Sequence, residues 1–98
     1  MKYTWDEKKS KINYEKHGIR FEEAQVIWSD PNSLEYFDTA HSFLEERYIR
    51  VGLNPWRGIL LVVFCEREGA EIIRIISARR ATFQERIEYE EELRSQKS

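Results

Sequence analysis

The sequence predicts an α+β domain in which a short strand, two helices, an antiparallel sheet and a last helix follow one another. Three observations support this fold class. Helix start and stop signals bracket residues 7–17, apolar β-branched runs fill residues 59–65 and 72–78, and a capping-box spacing opens a helix at Thr82. Strands grouped along the chain between helices are typical of α+β folds, and 98 residues suit a single domain spanning 1–98.

The first part of the chain predicts a short strand and two helices. Residues 3–5 favour a strand, and Asp6 is a good N-cap for a helix over residues 7–17 with Ile12 on its inner side. Gly18 follows two basic residues and ends that helix. A stripe at helical spacing predicts a short second helix, carried by Phe21, Ala24, Ile27 and Trp28.

The second part predicts the sheet. Residues 34–37 form a short strand and residues 38–44 a loop. Three strands then follow, at 47–53, 59–65 and 72–78, and their short connections make them antiparallel neighbours in a meander. The last helix covers about 82–95, with a frayed tail, and turns Phe83, Ile87 and Leu93 inward onto a two-layer domain.

Composition indicates a globular, cytoplasmic, soluble protein. The chain has one cysteine, Cys65, which lies inside an apolar run and is expected to be a buried strand thiol and not a nucleophile. No charged leader with an apolar stretch opens the sequence, and no run is long enough to span a membrane.

The net charge of −2 conceals an uneven distribution. Residues 1–20 and 47–86 are basic, whereas residues 21–46 have seven acidic residues and no lysine or arginine. If the basic segments meet in space they form a positive face; alternatively, the segments neutralise one another across the fold. Most of a nuclease surface is not expected to lie in the acidic segment, because like charge repels phosphate.

Several kinds of site are excluded by spacing. The two histidines, His17 and His41, are far apart in sequence and there is no second cysteine, so zinc-ligand spacing is absent and no metal or cofactor is expected. The four glycines are scattered singly, so no phosphate-binding glycine loop exists.

Polar residues at strand and helix ends remain as candidates. An imidazole, a carboxylate and several arginines are the groups with which a protein cleaves an RNA phosphodiester without metal. Strict alternation puts Ser77 and Arg79 on one face of their strand, and puts Arg80 and Arg74 on the other face. Each candidate also has a purely structural interpretation: His17 caps a helix, and Glu46 pairs across strands.

These residues resemble the BrnT family, the toxin half of a bacterial type II toxin–antitoxin module. The matching positions span nearly the whole chain: Trp5-Asp6, Asn13 with Lys16-His17-Gly18, Phe21 with Ala24, Asp30-Pro31, Glu46-Arg47-Tyr48 with Gly52, and Ile76 to Thr82 with Glu85-Arg86 and Tyr89.

The resemblance implies a RelE-like fold, with helices on a curved antiparallel sheet, and a metal-independent ribonuclease that blocks translation. It also implies a BrnA-like ribbon-helix-helix antitoxin as partner in a hetero-oligomer, with DNA contacted only through that antitoxin. The catalytic candidates carried over are His17, Glu46, Arg47, Arg67 and Arg79. Glu46 or His17 would transfer protons and the arginines would hold phosphate. The alternative is a catalytically inactive protein-binding module that acts as corepressor of the antitoxin.

Overall fold

A computed structural model of the protein describes residues 1–43 and 45–97. The predicted order of elements is confirmed. The elements are β1 (Lys2–Thr4), α1 (Glu7–His17), α2 (Phe21–Ala24) followed by a 3₁₀ turn (Gln25–Ser29), β2 (Leu34–Phe37), β3 (Tyr48–Asn54), β4 (Gly58–Arg67), β5 (Ile72–Arg80) and α3 (Phe83–Lys97).

The sheet has five strands in the order β1-β5-β4-β3-β2. The predicted antiparallel meander of β3, β4 and β5 is present, and β2 extends it. β1 runs parallel to β5, an arrangement that the long stretch of chain between the two strands makes possible. Since β1 pairs only with residues 72–74, no strand covers the far half of the β5 edge within the described part of the chain.

The two faces of the sheet carry different helices. The closed face, defined here as the side under α1 and α2, holds the main core of Ile19, Phe21, Ala24, Ile27, Leu60, Val62, Phe64, Ile73, Ile75 and Ala78. The open face, on the other side, packs a smaller cluster around Val51, Leu61 and Tyr89, the last from α3. Helices therefore lie on both faces, and the two-layer arrangement expected from the sequence is wrong.

The inner side of α3 differs from the prediction. Phe83, the first residue of α3, is 75% exposed. Tyr89, two turns later, is buried, and its hydroxyl donates a 2.6 Å hydrogen bond to Asp30. Ile87 and Leu93 are half-buried, as an inner position requires. Periodicity predicts the helix correctly, but the point at which it crosses the sheet decides which apolar residues are covered.

The buried side of α1 is polar. Ile12, predicted to face inward, is 50% exposed, and the buried residues of the helix are Ser10 and Asn13. The Asn13 amide donates to the carbonyls of Ala78 and Ile19, both at 2.8 Å, and its oxygen accepts from the Ala78 N–H at 3.1 Å. Asn13 thus pairs with the β5 edge as a neighbouring strand would, which hydropathy does not reveal.

The predicted helix caps are confirmed. Asp6 accepts hydrogen bonds from the N–H groups of Lys8 and Lys9. Gly18 ends α1 in the left-handed region, with a φ of 71°. Thr82 and Glu85 form the capping box: the Glu85 N–H donates to the Thr82 hydroxyl and the Thr82 N–H donates to the Glu85 carboxylate.

A bulge in β5 changes which residues share a face. Val63 lies opposite Ser77, but the next residue, Phe64, lies opposite Ile75, so Ile76 is an extra residue in β5. Ile75 therefore stays with the closed-face core, and Ser77 moves to the open face.

The bulge also corrects one prediction about the arginines. Arg74 lies opposite Cys65, and Arg79 lies opposite Leu61, which places both arginines on the open face. The expectation that Arg74 and Arg79 point to different sides is wrong, since it assumed unbroken alternation. Arg80 lies opposite Leu60 of the closed face, so the predicted separation of Arg79 from Arg80 is confirmed.

Two predicted strands are longer than expected. β4 continues two residues past Cys65, and β5 continues through Arg79 and Arg80. The two arginines are therefore ladder residues of the last strand and not the start of a connection. Within the described residues, no helix is both long and apolar enough to cross a membrane.

Candidate active site

A cleft of about 390 Å³ opens on the open face of the sheet. Its residues come from α1, the loop before β3, strands β3–β5 and α3, and they are His17, Asp38, His41, Ile49, Leu61, Val63, Ser77, Ala78, Arg79 and Glu85. Two imidazoles, two carboxylates, a hydroxyl and a guanidinium thus surround an apolar floor. A larger hollow beside α1 has no imidazole and mixes lysines and glutamates with Tyr14 and Arg20.

Arg79 and Glu85 form a two-pronged ion pair in one wall of the cleft. The two guanidinium nitrogens lie 2.8 and 3.0 Å from the two carboxylate oxygens. Arg79 holds the pKa of the Glu85 carboxyl down at about 2, well below its usual 4.5, with help from the Thr82 N–H. The same contact raises the pKa of Arg79. The pair therefore stays charged, and its fixed fork holds Arg79 in one orientation with 37% of its side chain exposed.

His17 reaches the cleft because α1 ends beside the uncovered half of the β5 edge. Asn13 fixes α1 against Ala78 of that edge, and His17 lies one turn further along the helix. His17 consequently lines the cleft together with Ser77 and Arg79. The structure thus brings together two of the catalytic candidates, His17 and Arg79.

Arg47 and Arg67 lie further along the same face. Arg47 directly precedes β3 and lies two residues before Ile49 of the cleft floor, so extended backbone puts both on one face. Arg67 ends β4 and forms an ion pair with Glu45. The Nε of Arg47 is buried and has no hydrogen-bond partner among the residues that the structure describes. With Arg74, these arginines form an arginine strip on the open face, in which Arg67 is neutralised by Glu45.

Cys65 lies beneath this strip and is 1% exposed. Burial raises the pKa of the Cys65 thiol, and the nearby Glu45 carboxylate raises it further. The thiol therefore stays protonated at neutral pH, and the expectation of a buried strand cysteine is confirmed.

Glu46 is not among the residues that line the cleft. Its carboxylate accepts a 3.5 Å hydrogen bond from the Tyr48 hydroxyl, and Tyr48 packs against the closed-face core. The structure therefore does not bring Glu46 together with His17 and Arg79.

Sequence reasoning missed His41, Asp38 and the pairing role of Glu85 as residues of the cleft. Nδ1 of His41 lies 3.2 and 3.3 Å from the two carboxylate oxygens of Asp38. The available signal was the three-residue spacing of Asp38 and His41. The expectation that most of a nuclease surface lies outside residues 21–46 stays a prediction, and Asp38 and His41 are the residues of that segment that line the cleft.

Across residues 1–43 and 45–97, no three side chains of His, Cys, Asp or Glu gather closely enough to hold a metal ion.

Comparisons with known proteins agree with the resemblance in the sequence. A family profile described as the ribonuclease toxin BrnT of type II toxin–antitoxin systems matches residues 5–85. The 1.1 Å crystal structure of the Brucella abortus ribonuclease toxin BrnT superposes with a TM-score of 0.64 at 27% identity, covering 84% of this chain and 97% of that one. A search of curated proteins finds no match. The chain belongs to the BrnT family of ribonuclease toxins of type II toxin–antitoxin systems.

Proposed function

We propose that this chain is itself an active, metal-independent endoribonuclease that inhibits translation by cleaving RNA. The observation that carries the proposal is the meeting of His17, Ser77 and Arg79 in one cleft of a BrnT-family fold. Arg47 and Arg67 lie on the same face and extend a cationic track for the RNA backbone.

The reaction needs three groups. A base takes the proton of the 2′-hydroxyl, O2′ forms a bond to phosphorus, and the bond from phosphorus to O5′ breaks as an acid protonates O5′. Cations must hold the extra negative charge of the five-coordinate phosphorus. Arg79, with Arg47 and Arg67, is proposed for this role. Both terminal nitrogens of Arg79 already contact Glu85, so a phosphate would bind the remaining N–H groups of its partly exposed guanidinium.

Proton transfer is assigned to His17 or Glu46. His17 is the better supported of the two, because it lines the cleft with Arg79. Glu46 hydrogen-bonds to Tyr48 on the other side of the sheet and would have to swing round to reach the same phosphate.

The proposed partner is a BrnA-like ribbon-helix-helix antitoxin. A toxin of a type II system has a protein antitoxin, and here it would block the cleft in a toxin–antitoxin hetero-oligomer in the cytoplasm. DNA would be contacted by the antitoxin and not by this chain, since α3 is rich in acidic residues that repel a DNA groove.

Substitution of Arg79 tests the proposal. We expect Arg79→Ala to lower the rate of RNA cleavage by the purified, partner-free chain about 10²–10³-fold, as loss of one transition-state donor does. Arg79→Lys, which keeps the charge but not the fork, should recover only part of this loss. Growth arrest on expression should weaken in the same order.

Arg80→Ala is the matched control, because Arg80 is the adjacent arginine and lies on the other face of β5. It should cleave RNA like the unaltered chain. Equal cleavage by the Arg79→Ala and unaltered chains would remove Arg79 from the site. An unaltered chain that cleaves no RNA, yet still binds its antitoxin, would favour the corepressor alternative.

A further inference from the structure

We propose that His41, oriented by Asp38, is a further catalytic residue of this cleft and acts as the base that takes the proton from the 2′-hydroxyl of RNA. The inference rests on the proposed ribonuclease function and names a group that this function leaves unassigned.

The first support is the contact between the two side chains. Asp38 is 8% exposed at its side chain, whereas His41 is 70% exposed. Nδ1 of His41 lies within 3.3 Å of both Asp38 oxygens, so Nδ1–H donates to the carboxylate. That contact leaves the lone pair of Nε2 free to accept a proton, with the Asp38 carboxylate on the opposite side of the ring.

The second support is the way Asp38 is held. Its backbone N–H donates to the Arg47 carbonyl at 2.8 Å, and its carbonyl accepts from the Ser42 hydroxyl at 2.6 Å. The Ser42 oxygen in turn accepts from the Arg47 N–H at 2.9 Å. The loop is thus hydrogen-bonded to the residue before β3 at two points, and these bonds fix the backbone that carries the imidazole.

The third support is position. His41 lines the same cleft as His17 and Arg79, although it comes from a different element from either. The titratable groups that line this cleft with His41 are Asp38 from its own loop, His17 from α1, Arg79 from β5 and Glu85 from α3. A phosphate held by Arg79 would therefore lie in a cleft that two imidazoles line.

The proton balance needs both imidazoles. Nε2 of His41 takes the proton from the 2′-hydroxyl as O2′ bonds to phosphorus, and protonated His17 gives its proton to O5′ as that bond breaks. The products are a 2′,3′-cyclic phosphate and a free 5′-hydroxyl. The two histidines exchange protonation states, and no oxidant, reductant or metal enters the balance.

A structural role explains the pair less well. An ion pair with one partner mostly in water adds little to stability. A buried carboxylate that bonds an exposed imidazole is the arrangement in which an acid orients a catalytic histidine.

The test uses three variants of the whole chain in an RNA-cleavage assay. His41→Ala should lower kcat by about 10²–10⁴-fold, the usual contribution of a general base. Asp38→Asn should lower kcat while KM stays nearly unchanged, because it alters a positioning residue that does not contact RNA. Thr39→Ala, an exposed change in the same loop, should cleave normally.

Two further readouts separate catalysis from structure. Added imidazole should restore cleavage to His41→Ala but not to the unaltered chain or to Arg79→Ala. The acid limb of the pH–rate profile should flatten in His41→Ala. The variant should also keep the thermal midpoint of the unaltered chain, because His41 is mostly exposed.

The outcomes distinguish the two proposals. If the unaltered chain cleaves RNA and His41→Ala cleaves it equally well, or is not rescued by imidazole, His41 is not the base and the ribonuclease function stands. If the unaltered chain cleaves no RNA, both the function and this role are overturned.

Discussion

The two faces of the sheet are built from the same strands but differ in their side chains: the closed face holds the main core and the open face holds the candidate site. The closed face is sealed by α1 and α2 over side chains that are almost wholly apolar, and Phe64 at its centre makes aromatic contacts with Trp28 and Tyr48 at centroid distances of 4.9 and 5.7 Å. The open face has a smaller apolar cluster under α3 and leaves the arginines, both histidines and the cleft in contact with water.

The contrast shows how a chain of this size keeps both a core and a site. The core needs one fully covered face, because burial on that face supplies most of the stabilisation. The other face is then free to hold charged groups, such as the ion-paired Arg67 and Arg79. The bulge at Ile76 contributes to this division, since it turns Ser77 and Arg79 to the open side while Ile75 stays in the core.

The sharpest test of this comparison is a pair of identical substitutions in adjacent residues. Val62 faces the closed side and is fully buried, whereas Val63 faces the cleft and is half-buried. Val62→Ala should lower the free energy of unfolding by about 2–3 kcal/mol, through lost burial and a residual cavity. Val63→Ala should cost about 1 kcal/mol. Urea denaturation of both variants measures the difference, and equal losses would mean that the faces are equally packed.

The next largest effect concerns the seam between α1 and β5. Asn13→Ala removes the partner of a buried N–H and two carbonyls, and should lower the free energy of unfolding by about 2 kcal/mol. Since the same seam carries His17 to the cleft, RNA cleavage should fall more than stability alone explains. Glu15→Ala on the exposed side of α1 is the control. No effect of Asn13→Ala on amide exchange at Ala78 would contradict the pairing.

The smallest effect is a pH dependence of stability on the open face. The pKa of Glu85 falls from 4.5 unfolded to about 2 folded, so its pair with Arg79 stabilises the fold fully above pH 4.5. This contribution is lost as pH falls from 4.5 towards 2. With solvent screening taken into account, we expect the pair to add about 1–2 kcal/mol to the free energy of unfolding above pH 4.5.

Thermal denaturation of the unaltered chain and of Glu85→Gln over this pH range measures that contribution. The two stability curves should converge towards pH 2 and separate above pH 4.5. Parallel curves would show that the ion pair adds nothing to folding.

Local signals in the sequence were sufficient to predict the order of helices and strands and to indicate the family. The N-cap at Asp6, the left-handed Gly18 and the capping box at Thr82 depend on neighbours within four residues, and all three are present in the structure. Strand alternation separates Arg79 from Arg80 for the same reason. Ordered motifs over nearly the whole chain indicated the BrnT family before any contact was known.

Contacts between distant segments had no such local signal. A single extra residue in β5 puts Arg74 on the face opposite to the one that strict alternation predicts. The hydrogen bonds of Asn13 to β5 turn α1 so that Ile12 is half-exposed. The pairing of His41 with Asp38, and the meeting of both with His17 and Arg79, depend on where a loop, a helix end and a strand converge. Periodicity predicts each element from its own neighbours. The cleft, in contrast, is made by side chains from five elements and one loop, and their approach is governed by packing across the whole sheet.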